Sequence, residues 1–317
     1  MKIATFEYAG DERSGVVRDG LVHPFAGGLD ARAVVALGLD AAPGLDVAAG
    51  VPLENVRLRA PLHPASIRDF VAFEEHVEGV RRSIDGASGV PEAWYDAPTF
   101  YFSNPHPLLG PGDDVPFPAA SVARDFELEV AAVLGPGEEI FGYPIFNDWS
   151  ARDLQGREMR VGLGPAKGKD FASSLGPWLV TADELAGFAD PDGFLQLWCT
   201  AAVNGVEVGR DLLANMGWTF PAMVAYAGRD SRLVAGDLLG SGTVGNGGCL
   251  AELWGRSGGQ DPPPLRDGDV VTLTVQGIGS LTNRVVSAPP SPAPPPARRR
   301  DPDTARRSLM SAVARAS

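Results

Sequence analysis

Residues 124–135 read Arg124-Asp125-Phe126-Glu127-Leu128-Glu129-Val130-Ala131-Ala132-Val133-Leu134-Gly135. The apolar run closes on a glycine and has the make-up of a buried strand. Side chains alternate across a strand, so Glu127 and Glu129 share one face while Phe126, Leu128 and Val130 take the other. Two like charges about 7 Å apart along a strand, beside an apolar run, are costly without a counter-charge. A divalent cation supplies one, and ligands that are all oxygen favour Mg²⁺, Ca²⁺ or Mn²⁺ over a softer metal. Taken alone, the segment also reads as a solvent-facing pair on an antiparallel strand.

Two other segments bear on that choice. Residues 142–155, GYPIFNDWSARDLQ, start apolar and turn polar. A helical turn beginning near Asp148 places Asp148, Arg152 and Gln155 at i, i+4 and i+7 on one face. That gathers an acid, a fixed cation and an amide at a strand end; the plainer alternative is an ordinary Asp–Arg helix pair. Residues 69–84, DFVAFEEHVEGVRRSI, predict a helix with Phe73, Val77, Val80 and Ile84 as its packed stripe. Asp69 and His76 then lie two turns apart on one face. Of the four histidines, His23, His63 and His106 adjoin a proline, and only His76 sits on a periodic helix with a carboxylate on its own face.

The chain has 317 residues, 44% hydrophobic and 21% charged, enough for a substantial core and too apolar for wholesale disorder. Twenty-seven Lys and Arg against 40 Asp and Glu give a net charge of −13, which speaks against a nucleic-acid or anionic-membrane binder. No apolar run approaches the roughly 18 residues of a membrane span. The N-terminus turns polar too soon for a secretory signal. Cys199 and Cys249 stand in apolar text and read as small core residues, so a reducing cytoplasm is the expected location.

Residues 1–60 read as a small N-terminal domain of short alternating strands, with one helix at ARAVVALGLD. Residues 61–287 are denser in strand-like runs (FELEVAAVLG, PWLVTADEL, LQLWCTAAVNG, DVVTLTVQGIG) separated by glycine and proline turns. Together they predict an α+β, β-rich catalytic unit. From residue 288 the text is Pro-rich and then Arg-rich, with six Arg and two Asp. It predicts an extended, disordered tail, a solvated linker or a docking segment for an acidic partner, with SLMSAVARAS as a short terminal helix.

In their order along the chain these segments resemble the fumarylacetoacetate hydrolase family over roughly residues 61–286. The D-x-x-x-F-x-x-H pattern stands as Asp69, Phe73 and His76, and the E-L-E strand as Glu127-Leu128-Glu129. The N-D-W-S-A-R-D-x-Q signature runs from Asn147 to Gln155. Residues 164–180 carry the G-K-x-F run with Lys169, and residues 240–254 the G-T-x-x-x-G segment followed by E-L. The resemblance implies a rolled, mixed β-sheet barrel, usually a homodimer. It implies metal-binding carboxylates at Asp69, Glu127, Glu129 and Asp148, with Mg²⁺ or Ca²⁺ bound (Mn²⁺ possible) and no organic cofactor. His76 resembles the general base that activates water, and Glu252 the carboxylate that orients it. Arg152, Gln155 and Lys169 resemble the groups that steady a developing enolate, and Tyr101 and Thr243 resemble substrate contacts. The implied reaction is hydrolysis of a C–C bond in a 1,3-diketone acid, fumarylacetoacetate or an acylpyruvate. The alternative within the family is isomerisation of a 2-hydroxyhepta-2,4-diene-1,7-dioate, or decarboxylation or hydration of a 2-oxo acid. Smaller members pair a His with a Glu three residues later on a lid; here that position is Gly79, which leans toward the hydrolase type with Glu252 serving His76.

Overall fold

The structure, a computed structural model, describes residues 1–299 together with Asp301, Arg307 and Met310. One large mixed sheet dominates. Its hydrogen-bonded path runs Val51–Pro52, Leu21–Pro24, Asp11–Arg18, Lys2–Tyr8, Ser173–Thr181, Ile140–Asp148, Leu128–Leu134, Leu238–Gly240, Ile67–Phe70 and Phe100–Ser103. Most neighbours are antiparallel; Leu238–Gly240 and Ile67–Phe70 run parallel. A second sheet is built on Trp198–Val203, Val270–Val275 and Gly279–Ser287. The β-rich α+β class expected from the sequence is what forms.

The first sixty residues continue this main sheet: Lys2 and Ile3 pair with Val180 and Leu179. Their helix, Ala31–Leu37, packs Val34 and Val35 into a core shared with Ala131, Val133 and Phe146. Residues 291–299 are exposed and form neither helix nor strand. The terminal helix read in SLMSAVARAS lies, Met310 apart, outside the described residues.

The Leu128–Leu134 strand explains how acids come to be buried. Leu128, Val130, Ala132 and Leu134 enter one core, and Ala131 and Val133 enter the other. Both faces are covered, hence the unbroken apolar text. Glu127 and Glu129 have the parity of Ala131 and Val133, and are 4% and 1% exposed. They project into the interior, and the solvent-facing reading is excluded.

Two expected helix boundaries are corrected. Asp69 lies on the Ile67–Phe70 strand, and the helix begins only at Glu74 and ends at Asp85. Residues 67–70 are committed to ladders on both sides, opposite Leu238–Gly240 and Phe100–Ser103, so their backbone groups are already paired. Asp148 likewise ends the Ile140–Asp148 strand, and its helix starts at Arg152. Asp148 is therefore held opposite Ser173, and an i, i+4 pair with Arg152 does not form.

Candidate active site

The sheet order brings the expected acids together. Asp69 is in register with Gly240 on one side and Tyr101 on the other. Gly240 is also in register with Ala131, two residues beyond Glu129. Carboxylate oxygens of Asp69, Glu127 and Glu129 lie within 4.8 Å of one another. The glycine makes room: a Cβ at Gly240 would stand 2.7 Å from Glu129 Oε2 and 2.8 Å from Asp69 Oδ1. Glu127 is fixed from behind, its backbone N–H donating to Asn147 Oδ1 at 3.0 Å.

This cluster is short of positive charge. Lys169 donates to Glu127 and, at 2.6 Å, to Asp148. Arg152 Nη2 is 2.7 Å from Glu127 Oε1. Burial would raise the Glu127 carboxyl, but Arg152 and Lys169 outweigh it and hold the group well below the usual range. Among the described residues Asp69 and Glu129 form no ion pair of this kind, though Lys169 still draws Asp69 down. Burial pushes both well up, reinforced by Asp148 for Asp69 and by Asp69 and Glu127 for Glu129. Among the described residues Asp69 Oδ1, Glu129 Oε1 and Asp148 Oδ1 are buried without a hydrogen-bond partner. Converging, unpartnered oxygens with surplus negative charge fit a hard divalent cation. Tyr101 donates from its hydroxyl to Asp148, which ties the edge strand to the cluster.

A cavity of about 540 Å³ opens onto these groups. His76, Tyr101, Gln155, Lys169 and Thr243 line it alongside Asp69, Glu127 and Glu129. Its apolar lining comes from Val77, Val80, Trp94 and Phe100. Arg81 also faces it, whereas Arg82 is turned outward to Glu78 at 2.5 Å.

His76 is 7% exposed, with Nε2 3.7 Å from Glu127 Oε1 and Nδ1 3.5 Å from Cys249 Sγ. Burial pushes the imidazole down to about 4, against the pull of Glu127, so at neutral pH it carries a free lone pair. Glycines set its position. A Cβ at Gly255 would meet Gly79 O at 2.0 Å, so the Glu74–Asp85 and Leu250–Ser257 helices cross backbone to backbone. Glu252 does not meet the imidazole as the resemblance implied. Its carboxylate lies 2.5 Å from Arg256 Nη2, one turn along its own helix, while its stem crosses Gly79, whose added Cβ would stand 2.5 Å from Glu252 Cγ. Burial raises Glu252 to about 7.

Asp125 was not singled out by sequence reasoning. It is fully buried and accepts from Arg152 Nε at 2.8 Å, and from the backbone N–H groups of Leu250 at 2.8 Å and Ala251 at 3.0 Å. It therefore caps the helix that carries Glu252 and aims the guanidinium that reaches Glu127 and, at 3.1 Å, Gln155. The alternation extended two residues upstream finds it, since Asp125, Glu127 and Glu129 share one parity. Asparagine at this position keeps the volume but turns an amide toward donors. Removing one partner of a buried pair costs about 3–5 kcal/mol. Asp125→Asn should accordingly lower the urea midpoint and cut turnover together, read by equilibrium unfolding and a rate assay on one preparation.

Comparison with known proteins identifies the family. The family described as fumarylacetoacetate (FAA) hydrolase C-terminal matches residues 65–286. Fumarylacetoacetase of Arabidopsis thaliana is 30% identical over 311 residues, covering 75% of this chain and 73% of the relative. A 2,4-didehydro-3-deoxy-L-rhamnonate hydrolase of Sphingomonas sp. is 27% identical over 303 residues, covering 90% and 96%. The solved fumarylacetoacetate hydrolase of Exiguobacterium antarcticum superposes with a TM-score of 0.69 at 25% identity, over 91% of this chain and all of that one. An oxaloacetate tautomerase of Bacillus subtilis is also among the relatives, so these are enzymes of more than one reaction type; solved isomerase and dehydratase structures share the fold. By the matched residues and by the shared sheet, the chain belongs to the fumarylacetoacetate hydrolase family.

Proposed function

We propose that this protein is a divalent-metal-dependent hydrolase that cleaves a C–C bond of a 1,3-diketone acid of the fumarylacetoacetate or acylpyruvate type. The observation that carries this reading is a buried, neutral imidazole, His76, beside the Asp69–Glu127–Glu129 cluster and inside the same cavity. Asp69, Glu127, Glu129 and Asp148 are the residues that would hold the ion, with Mg²⁺ or Ca²⁺ as the candidates their oxygens suit. When bound, the ion supplies Lewis-acid polarisation and a template for adjacent oxygens of a diketo acid.

The chain's own groups do the rest. His76 accepts a proton from water while the water oxygen bonds to the carbonyl carbon. The bond from that carbon to the neighbouring methylene then breaks, and its electron pair leaves as an enolate. The imidazolium returns its proton to the methylene carbon. One water is consumed, and a carboxylic acid and a ketone are released. Burial lowers Lys169, but Asp148 and Glu127 outweigh it and hold its ammonium above the ordinary value. Lys169 and Arg152 thus stay charged and can meet the enolate in a low-dielectric site. Gln155, Tyr101 and Thr243 contact the substrate on this reading, and Arg81 offers a guanidinium to its carboxylate.

The test is a panel of acylpyruvates and fumarylacetoacetate, each with Mg²⁺, Mn²⁺ or Ca²⁺, followed by product analysis. The expected products are one acid and one ketone per molecule consumed, in every case with metal dependence. Double-bond migration, loss of CO₂ or loss of water, with no C–C hydrolysis of any diketone, would overturn the reading in favour of the isomerase, decarboxylase or dehydratase types.

A further inference from the structure

Behind the hard-oxygen cluster lies a second set of ligands of different chemistry. Cys249, fully buried, precedes the Leu250–Ser257 helix, and its Sγ is 3.5 Å from His76 Nδ1. Ligand atoms of His76, Cys249 and Glu127 lie within 4.8 Å of one another. Zinc binds imidazole nitrogen at about 2.0–2.1 Å and thiolate at about 2.3 Å, which at a tetrahedral angle sets the two ligands about 3.6 Å apart. The observed nitrogen–sulfur spacing already matches. Mixed nitrogen, sulfur and oxygen donors select a soft or borderline dication and have no use for Mg²⁺.

The charge balance leaves room for such an ion. Among the described residues Asp69, Asp125, Glu127, Glu129 and Asp148 face only Arg152 and Lys169, a surplus of three negative charges when all are ionised. One hard dication removes two of the three. A further dication at Cys249, which releases its thiol proton to solvent on binding, brings the cluster to neutrality. The free thiol is no competitor as a redox switch: burial, then Asp125, hold it well above its ordinary value and so protonated.

We infer that His76, Cys249 and Glu127 form a second, inhibitory metal site for a zinc-class dication, distinct in ligand set from the carboxylate site and sharing Glu127 with it. An ion held by these donors occupies one imidazole nitrogen and leaves the other protonated. No free lone pair then remains for the ring to act as a base. The binding claim stands on the three side chains; the inhibition claim rests on the proposed role of His76 as base.

Cobalt is the probe for binding, because a thiolate ligand gives Co²⁺ an intense near-ultraviolet charge-transfer band. With Mg²⁺ saturating, wild-type protein should take up one equivalent of Co²⁺ with that band, and Cys249→Ser should lack it. Zn²⁺ should inhibit the wild type and need about tenfold or higher concentration against Cys249→Ser, each variant referred to its own uninhibited rate. His76→Ala, a second variant that leaves the thiol in place, should bind Co²⁺ more weakly. Co²⁺ uptake without a thiolate band, or equal zinc sensitivity in wild type and Cys249→Ser, would overturn the site. A thiolate band with no diketone hydrolysis would sink only the functional reading, and leave the metal site standing.

Discussion

Replacing Glu129 by glutamine should abolish turnover while leaving the metal-free protein as stable as the wild type, or more so. The side chain is 1% exposed, its Oε2 accepts from Gly242 N at 3.0 Å, and among the described residues its Oε1 has no hydrogen-bond partner. Burial, Asp69 and then Glu127 all oppose its ionisation, so at neutral pH the charge works against folding unless a cation meets it. Glutamine keeps an oxygen for Gly242 and can donate its amide N–H to Asp69, which removes the repulsion. The same change strips one negative ligand from the ion. Outer-shell changes at metal sites cost roughly 10–100-fold in affinity, and loss of a direct ligand should exceed that. The readout is the melting temperature with and without Mg²⁺. At a metal concentration of 100 times the wild-type Kd, binding stabilises the wild type by about 2.7 kcal/mol. A hundredfold weaker variant retains only about 0.4 kcal/mol of that at the same concentration. A Glu129→Gln protein with the full wild-type shift would remove Glu129 from the ion.

The difference between what was legible and what was not follows the range of the interactions. The parity of Glu127 and Glu129 is a local property of strand geometry, and the two cores on either side of Leu128–Leu134 obey it. The same rule applied to Asp125 would have found a third buried acid. The start of the helix was misplaced because Asp69 is held by ladders to residues about 30 and 170 positions away, which no local window contains. Helical spacing pairs Arg152 with Asp148, yet its acidic partners are Asp125 and Glu127, from a stretch about 25 residues upstream, and only Gln155 keeps the expected contact. Glu252 was given to His76 by resemblance; its proximity to Gly79 fits that idea, but its carboxylate goes to Arg256, four residues along. Cys249 was read as a small core residue. It is one by burial, and the fold also sets it against the imidazole, a contact invisible in a sequence where the two stand 173 residues apart.

Alanine at His76 should lower turnover by about 10²–10⁴-fold, the range that a general base contributes, with Mg²⁺ affinity intact. The separation of the two effects follows from charge. Burial holds the imidazole neutral, so its removal leaves the balance among Asp69, Glu127, Glu129, Arg152 and Lys169 as it was. The ion is attracted by that balance and not by the ring. The proton relay, in contrast, depends on the ring: among the described lining residues other than the metal-binding carboxylates, Lys169 is held protonated and Tyr101 is pushed well above its ordinary value by burial and by Asp148. Neither can take a proton from water at neutral pH. The substitution opens space beside a cavity of about 540 Å³, so added imidazole should enter and restore part of the rate, with kcat recovering more than KM changes. Titration calorimetry for Mg²⁺ and a rescue curve on the same protein check both halves. Loss of metal binding in His76→Ala would make the ring a ligand of the hard ion, and unchanged turnover would leave water activation to some other group.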